Sequence, residues 1–339
     1  MRAVIMRAPG DVVVADVERP TIQDPGDAVI ELAAACICGS DLWPYRGHDP
    51  VENRPMGHEY VGTVVEVGDA VTTVSPGDFV VGSFCLSDNT CEICTSGYPS
   101  RCITGGFASG TQAEFVRIPL ADGTLVKVPG GRPESDEVLT DLLAASDVLG
   151  TGWFGALAAE VGPGRSVVVV GDGAVGLLAV LASQQLGADR IIAMSRHPQR
   201  QALAREFGAT DIIEERGAAG VAKVLELTNG LGAHSVVEAV GTQESMEQAI
   251  GACRSGGHVG FVGVSHDVNL PGSLLFGKQV HLLGGPAPVR RLLPDLIERI
   301  LERRIRPGKV FDLHLPLAEA AAGYRAMDER RAIKVLLRP

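Results

Sequence analysis

Basic residues are the minority in this chain, with 30 Lys plus Arg against 41 Asp plus Glu and a formal net charge of −11. That sign is wrong for a protein that binds by neutralising phosphates along a nucleic acid, so a small-molecule partner is the expectation. No stretch runs 18 apolar residues unbroken, which excludes a spanning helix of ordinary length. The opening Met1-Arg2-Ala3-Val4-Ile5-Met6-Arg7-Ala8-Pro9-Gly10 carries charges where a signal peptide needs its hydrophobic core. A cytosolic protein with no membrane partner is expected. Internal repeats and low-complexity segments are also missing, and 42 Gly with 20 Pro among 339 residues fall short of a disordered or collagen-like bias.

What is present is enough chain for two domains, at roughly 100–200 residues each. Up to about Pro129 the sequence alternates short apolar runs with Pro and Gly turns, as in Tyr60-Val61-Gly62-Thr63-Val64-Val65-Glu66-Val67, which reads as an all-β unit. From about Gly150 the rhythm changes. Runs such as Ser166-Val167-Val168-Val169-Val170 alternate with helical stretches such as Ala174–Leu186 and Pro198–Phe207, the pattern of a parallel sheet buried on both faces. After about Pro288 a helix over Arg291–Arg304 and a closing strand are expected to pack back onto the first half. The expected domains are therefore 1–149 completed by 288–339, and 150–287.

Gly171-Asp172-Gly173-Ala174-Val175-Gly176 follows the Val-rich strand and opens a helix. In that context Gly171 would permit a tight turn, Gly173 would admit a pyrophosphate, and Gly176 would let the helix approach the sheet. An NAD site needs a carboxylate about 20 residues on. Here stand Ser195, Arg196 and His197, with Arg200 beyond. Cations and a hydroxyl suit a 2′-phosphate, because Arg presents a planar fork to phosphate oxygens, so NADP(H) is the expected cofactor.

Seven cysteines are present, and four crowd between Cys85 and Cys102. In a reducing compartment that reads as metal binding before disulfides. Asp88-x2-Cys91-x2-Cys94-x7-Cys102 puts four ligand types on one loop, which a closed tetrahedral zinc would brace. Cys85 is close enough to replace Asp88. Cys38-Gly39-Ser40-Asp41 and Gly57-His58-Glu59 add a thiolate and an imidazole about twenty residues apart. That pair alone does not separate a metal site from two unrelated core residues.

Taken together, "CGSD", "GHE" with the "VGTVVEVG" strand, the cysteine loop, "DVLGTGWFGA", "VVVVGDGAVG" and the closing "IKVLL" resemble a zinc-dependent alcohol dehydrogenase of the medium-chain dehydrogenase/reductase superfamily. The resemblance implies an α/β protein, with a GroES-like all-β catalytic domain and a Rossmann doubly wound sheet. It implies a catalytic zinc on Cys38, His58 and Asp147, where many members have Cys in the third place, with Glu59 able to approach the metal. Ser40 falls where the family's hydroxyl takes the alcohol proton. Trp43 stands where several relatives carry a relay His, and is read as a wall of the substrate pocket, with His48 as a stand-in relay. Thr151 falls at the nicotinamide end and Lys334 at the cofactor diphosphate. Asp147 resembles the arrangement of NADP-dependent bacterial secondary-alcohol dehydrogenases, implying a secondary alcohol/ketone couple. A homodimer or homotetramer is implied too, with Val280-His281-Leu282-Leu283 near a sheet edge. Set against this are a non-catalytic NADPH-binding protein of the same fold and a zinc-loop module on nucleic acid.

Overall fold

The computed structural model describes residues 1–339, which divide into two compact units, Met1–Asp147 with Pro288–Pro339, and Val148–Ala287. In the first unit the strand Ala28–Ile37 is central. It pairs antiparallel with Tyr60–Val67, Phe115–Ile118 and Val335–Arg338 within a seven-stranded sheet. Its Ala-rich, branched sequence AVIELAAACI is buried at all but two of ten positions. Burial on both faces suits a run that is apolar except for exposed Glu31. A smaller sheet of Arg2–Ala8, Asp11–Asp16 and Arg54–Pro55 stands beside it.

The C-terminal segment completes this unit. Leu313–Pro316 and Val335–Arg338 run parallel, and the helix Ala320–Asp328 between them buries Tyr324 and Met327 against Val4, Met6, Ile37 and Leu42. The helix expected over Arg291–Arg304 runs from Val289 to Leu301 and keeps Pro294 inside its second turn. Its stripe Val289, Leu293, Leu296, Ile297 and Ile300 is buried at the spacing of one helix face. The first unit is not purely β, since Asp136–Ala145 forms a helix capped by the Ser135 hydroxyl.

The second unit is a six-stranded parallel sheet. Its strands are β1 (Ser166–Val170), β2 (Arg190–Met194), β3 (Asp211–Ile213), β4 (Ala233–Glu238), β5 (Cys253–Phe261) and β6 (His281–Gly284), in spatial order 3-2-1-4-5-6. Two crossovers matter for the site: α1 (Ala174–Gln185) from β1 to β2, and α2 (Pro198–Glu206) from β2 to β3. This is the doubly wound order that reverses between β1 and β4, where such sheets take ligands at the carboxyl ends of their strands. β6, from the segment expected near an edge, is an edge strand with Leu283 44% exposed. No helix of the chain is long and apolar enough to cross a membrane.

Candidate functional site

The strand Ala28–Ile37 ends at Cys38, where a single turn over Gly39–Asp41 begins. The Asp41 carboxylate accepts from the Cys38 backbone N–H at 3.0 Å and from the Gln112 amide at 3.1 Å. Tyr324 in turn donates to Gln112 Oε1 at 3.0 Å. The thiol's place is thus fixed by buried polar groups. Gly57, with φ +93°, sets the next residues: a Cβ there would come within 2.5 Å of the Gln112 side chain. Only glycine fits this left-handed, crowded turn, and it delivers His58 and Glu59 to the same pocket.

Cys38, His58, Glu59 and Asp147 place their ligand atoms all within 4.8 Å of one another. His58 Nε2 lies 3.3 Å from Asp147 Oδ2, and Cys38 Sγ lies 3.8 Å from the same oxygen. The other imidazole nitrogen, Nδ1, faces Asp41 Oδ1 at 3.7 Å. That disposition suits a ligand histidine oriented by an outer carboxylate. Burial pushes the His58 pKa down, but the charge of Cys38 and the bonds to Asp147 and Cys38 outweigh it and hold it well above the ordinary value. Glu59 is fully buried and its Oε1 has no partner, an orphan of the sort that costs free energy unless something meets it. A thiolate, an imidazole and a carboxylate are ordinary zinc ligands, so the donor set, its spacing and the orphaned oxygen all fit a divalent zinc.

Lys334, which the resemblance sets at the cofactor diphosphate, lies buried beside the metal-ligand pocket. Its ammonium donates to Glu59 Oε2 at 2.6 Å and to the Ile37 carbonyl at 3.2 Å, with 1% of the side chain exposed. A buried ammonium so engaged answers a buried carboxylate. Cys36, itself buried, donates its thiol to the same Glu59 oxygen.

Ser40 sits half-buried one residue before Asp41, and Trp43 half-buried in the turn Leu42–Tyr45 with exposed His48 edge-on at 5.3 Å. Phe84 went unnoticed in the sequence. Its ring meets His58 edge-on at 6.1 Å and stacks on Phe107 at 6.2 Å, giving the metal pocket an aromatic flank. The only local signal was its place two residues past the strand Phe79–Gly82.

The second ligand group consists of Asp88, Cys91, Cys94 and Cys102, again within 4.8 Å of one another. Asp88 Oδ1 accepts from the Thr90 and Cys91 N–H groups, and Oδ2 from the Thr104 hydroxyl. The Cys91 N–H heads the bonds that hold the Asp88 carboxyl well below the usual range, so it stays a carboxylate. Cys85 is not in this group. It pairs with Phe107 in a two-residue strand, and burial with the charge of Asp147 pushes its thiol up.

In the second unit, Gly171 has φ +119°, and a Cβ on Gly176 would lie 2.0 Å from the Gly171 carbonyl oxygen. These two are demanded by the fold itself. Gly173 is different: it has ordinary φ, caps α1, and a Cβ there would meet nothing within 4 Å. The chain keeps open space at the N-terminus of a twelve-residue helix, where backbone N–H groups and the helix dipole favour a phosphate. That cradle fits a dinucleotide. Thr151 is buried in the helix Val148–Ala158. At the end of β2 two of the expected groups meet a carboxylate. Ser195 Oγ donates to Asp172 Oδ2 at 2.8 Å, and Arg200 reaches Asp172 Oδ1 at 3.2 Å. Two of the four groups assigned to a 2′-phosphate are thus engaged by a carboxylate. Arg196 is exposed and His197 half-buried.

Comparison with known proteins agrees with this geometry. A model of the alcohol dehydrogenase GroES-like domain matches residues 24–130, and one of zinc-binding dehydrogenases matches residues 174–302. The chain is 35% identical over 353 residues to zinc-type alcohol dehydrogenase B of Aspergillus flavus, covering all of this chain and 81% of that one. Among solved structures, an alcohol dehydrogenase from Thermus sp. ATN1 superposes with a TM-score of 0.90 at 34% identity, over 100% of this chain and 99% of that one. A structure titled NAD-dependent alcohol dehydrogenase gives 0.85 at 30% identity, covering both chains completely. A GroES-like unit with a Rossmann unit and a Cys/His/Asp pocket defines a zinc-type dehydrogenase. The chain belongs to the zinc-dependent alcohol dehydrogenases of the medium-chain dehydrogenase/reductase superfamily, and it is an oxidoreductase.

Proposed function

We propose that this chain moves hydride between a nicotinamide dinucleotide and an alcohol/carbonyl pair at a zinc held by Cys38, His58 and Asp147. The observation that carries the reading is the convergence of those three ligand types with the orphaned Glu59 oxygen in one buried pocket. Bound there, zinc supplies Lewis-acid polarisation of the substrate oxygen while the nicotinamide exchanges hydride at the adjacent carbon.

The chain's own groups set the conditions. One thiolate and one carboxylate balance a divalent cation to a formally neutral ligand shell, while the charge of Glu59 is offset by Lys334. Such a shell opposes a developing alkoxide less than an anionic one would. Lys334 holds Glu59 by Oε2, so that its unpaired Oε1 would be available to a bound zinc. Ser40 Oγ takes the alcohol proton, and its half-buried position leaves it a side toward solvent. Trp43 and Phe84 shape an apolar, aromatic wall. Support for a secondary alcohol/ketone couple is the carboxylate in the third ligand place, which resembles the bacterial secondary-alcohol enzymes. A second zinc braces the loop on Asp88, Cys91, Cys94 and Cys102.

Two cofactor readings have separate support. Exposed Arg196 and half-buried His197 favour NADP(H), as the sequence suggested; Asp172 and the NAD-dependent solved relative favour NAD(H). The test of the function is an initial-rate panel of primary alcohols, secondary alcohols, aldehydes and ketones with both cofactors, followed by nicotinamide absorbance. Turnover of secondary alcohols or ketones above the primary pair is expected. No turnover of any member by zinc-replete protein would overturn the reading.

A further inference from the structure

We propose that Asp172, in the glycine loop, is the group that binds the adenosine ribose and makes this chain prefer NAD(H) over NADP(H). The inference rests on reading the second unit as a dinucleotide-binding domain. In such domains an acid at the end of the second strand bonds the ribose hydroxyls. This chain has Ser195 there, directly after β2. The Ser195 hydroxyl, however, donates to Asp172 Oδ2 at 2.8 Å. A carboxylate oxygen therefore lies one hydrogen bond beyond the short Ser195 side chain, about where a longer acid at position 195 would carry its own. The acid is present but comes from β1 instead of β2.

The surroundings hold it there. Asp172 is 8% exposed, and Arg200 reaches both its Oδ1, at 3.2 Å, and its main-chain carbonyl, at 3.4 Å. A carboxylate has about four acceptor sites, so a ribose hydroxyl can donate to Asp172 with neither of those bonds broken. A 2′-phosphate dianion has only acceptors to offer. It must take Ser195 and Arg200 away from Asp172, leaving a buried carboxylate unpaired beside a second anion. The remaining charges nearby do not reverse this. Arg200 is already paired with Asp172, Arg196 is exposed and screened by salt, and Glu214, which accepts from Gln201 at 2.8 Å, adds negative charge. The same geometry explains why position 195 carries no acid: a carboxylate there would face Asp172 at hydrogen-bond distance. The missing strand-end acid marks relocation of the carboxylate, not its loss.

The experiment is a pair of equilibrium titrations, NADH and NADPH binding to zinc-replete protein by quenching of intrinsic fluorescence, with unfolding curves as a check on each variant. Wild type should bind NADH roughly tenfold or more tighter than NADPH, the size of effect one charge-assisted hydrogen bond supplies. Asp172→Asn, which keeps the shape and can still accept from Ser195, should weaken NADH and strengthen NADPH so that the ratio falls by roughly tenfold. Equal or tighter NADPH binding by wild type overturns the proposal even if Asp172→Asn does not fold, and so does an unchanged ratio in a folded Asp172→Asn. Failure of wild type to bind either dinucleotide would instead sink the reading of the second unit.

Discussion

Glu59 is a carboxylate with no exposed surface, set beside a thiol and another acid, and its Oε2 is paired with the ammonium of Lys334, 275 positions later in the chain. Breaking one partner of such a pair leaves an uncompensated buried charge. Lys334→Met should therefore cost about 3–5 kcal/mol in denaturant unfolding, and adding Glu59→Gln should recover much of it, because the orphaned charge is then gone. A loss under about 1 kcal/mol, as for an exposed pair, would contradict the burial that defines this site. Single residues also show how far the sequence could be read. Cys38, His58 and Asp147 were legible because ligand chemistry and motif spacing are local or family-wide signals. The partners of Lys334 and Asp172 were not, since both are side-chain encounters across strands, and nothing near position 172 signals that its carboxylate ends at Ser195.

At the scale of elements, the Val-rich strands and the helix after the glycine loop followed from their periodicity, as did the helix from Val289, apart from its ends. Loop structure was harder to see. Asp88–Cys102 contains only the short turns Glu92–Thr95 and Pro99–Arg101, and its Ile93 and Tyr98, with Ile103 just beyond it, remain exposed. With so little apolar burial, its order depends on the ligand group. Cys94→Ser should remove one zinc by elemental analysis and make the 88–102 segment the first site of limited proteolysis, while turnover falls less than for a change at Cys38. Unchanged metal content and protection would show that the segment is held by its backbone bonds alone. Spacing along the chain left either Asp88 or Cys85 to close this group; burial of Cys85 in the adjoining strand pair set it apart.

Over the whole chain, the first unit is assembled from two distant segments, which a periodicity argument can suggest only weakly. Asp141 is one of the ties between them. It is 1% exposed and accepts from Arg303 at 2.6 Å and from the Gly308 N–H at 2.6 Å. Asp141→Ala strands the buried Gly308 N–H and leaves Arg303 with Glu137 as its remaining carboxylate, and should cost about 1–3 kcal/mol of unfolding free energy. Wild-type-like unfolding of that variant would mean the C-terminal segment is held by apolar contacts such as Tyr324 and Met327 instead. Neither residue number nor local sequence hinted at this tie, because its partners lie 162 and 167 positions away.

The claim on which the rest depends is that a metal at Cys38, His58 and Asp147 is required for hydride transfer. The most direct measurement is zinc content and nicotinamide-linked turnover on the same preparations of wild type and Cys38→Ser. Two zinc ions per chain are expected in wild type on the four-ligand logic of the two groups. Cys38→Ser should hold one, fold normally, still bind the dinucleotide, and turn over at least ~10³-fold more slowly, because the group that polarises the substrate oxygen is gone. A Cys38→Ser protein lacking that zinc yet retaining wild-type turnover would contradict the account.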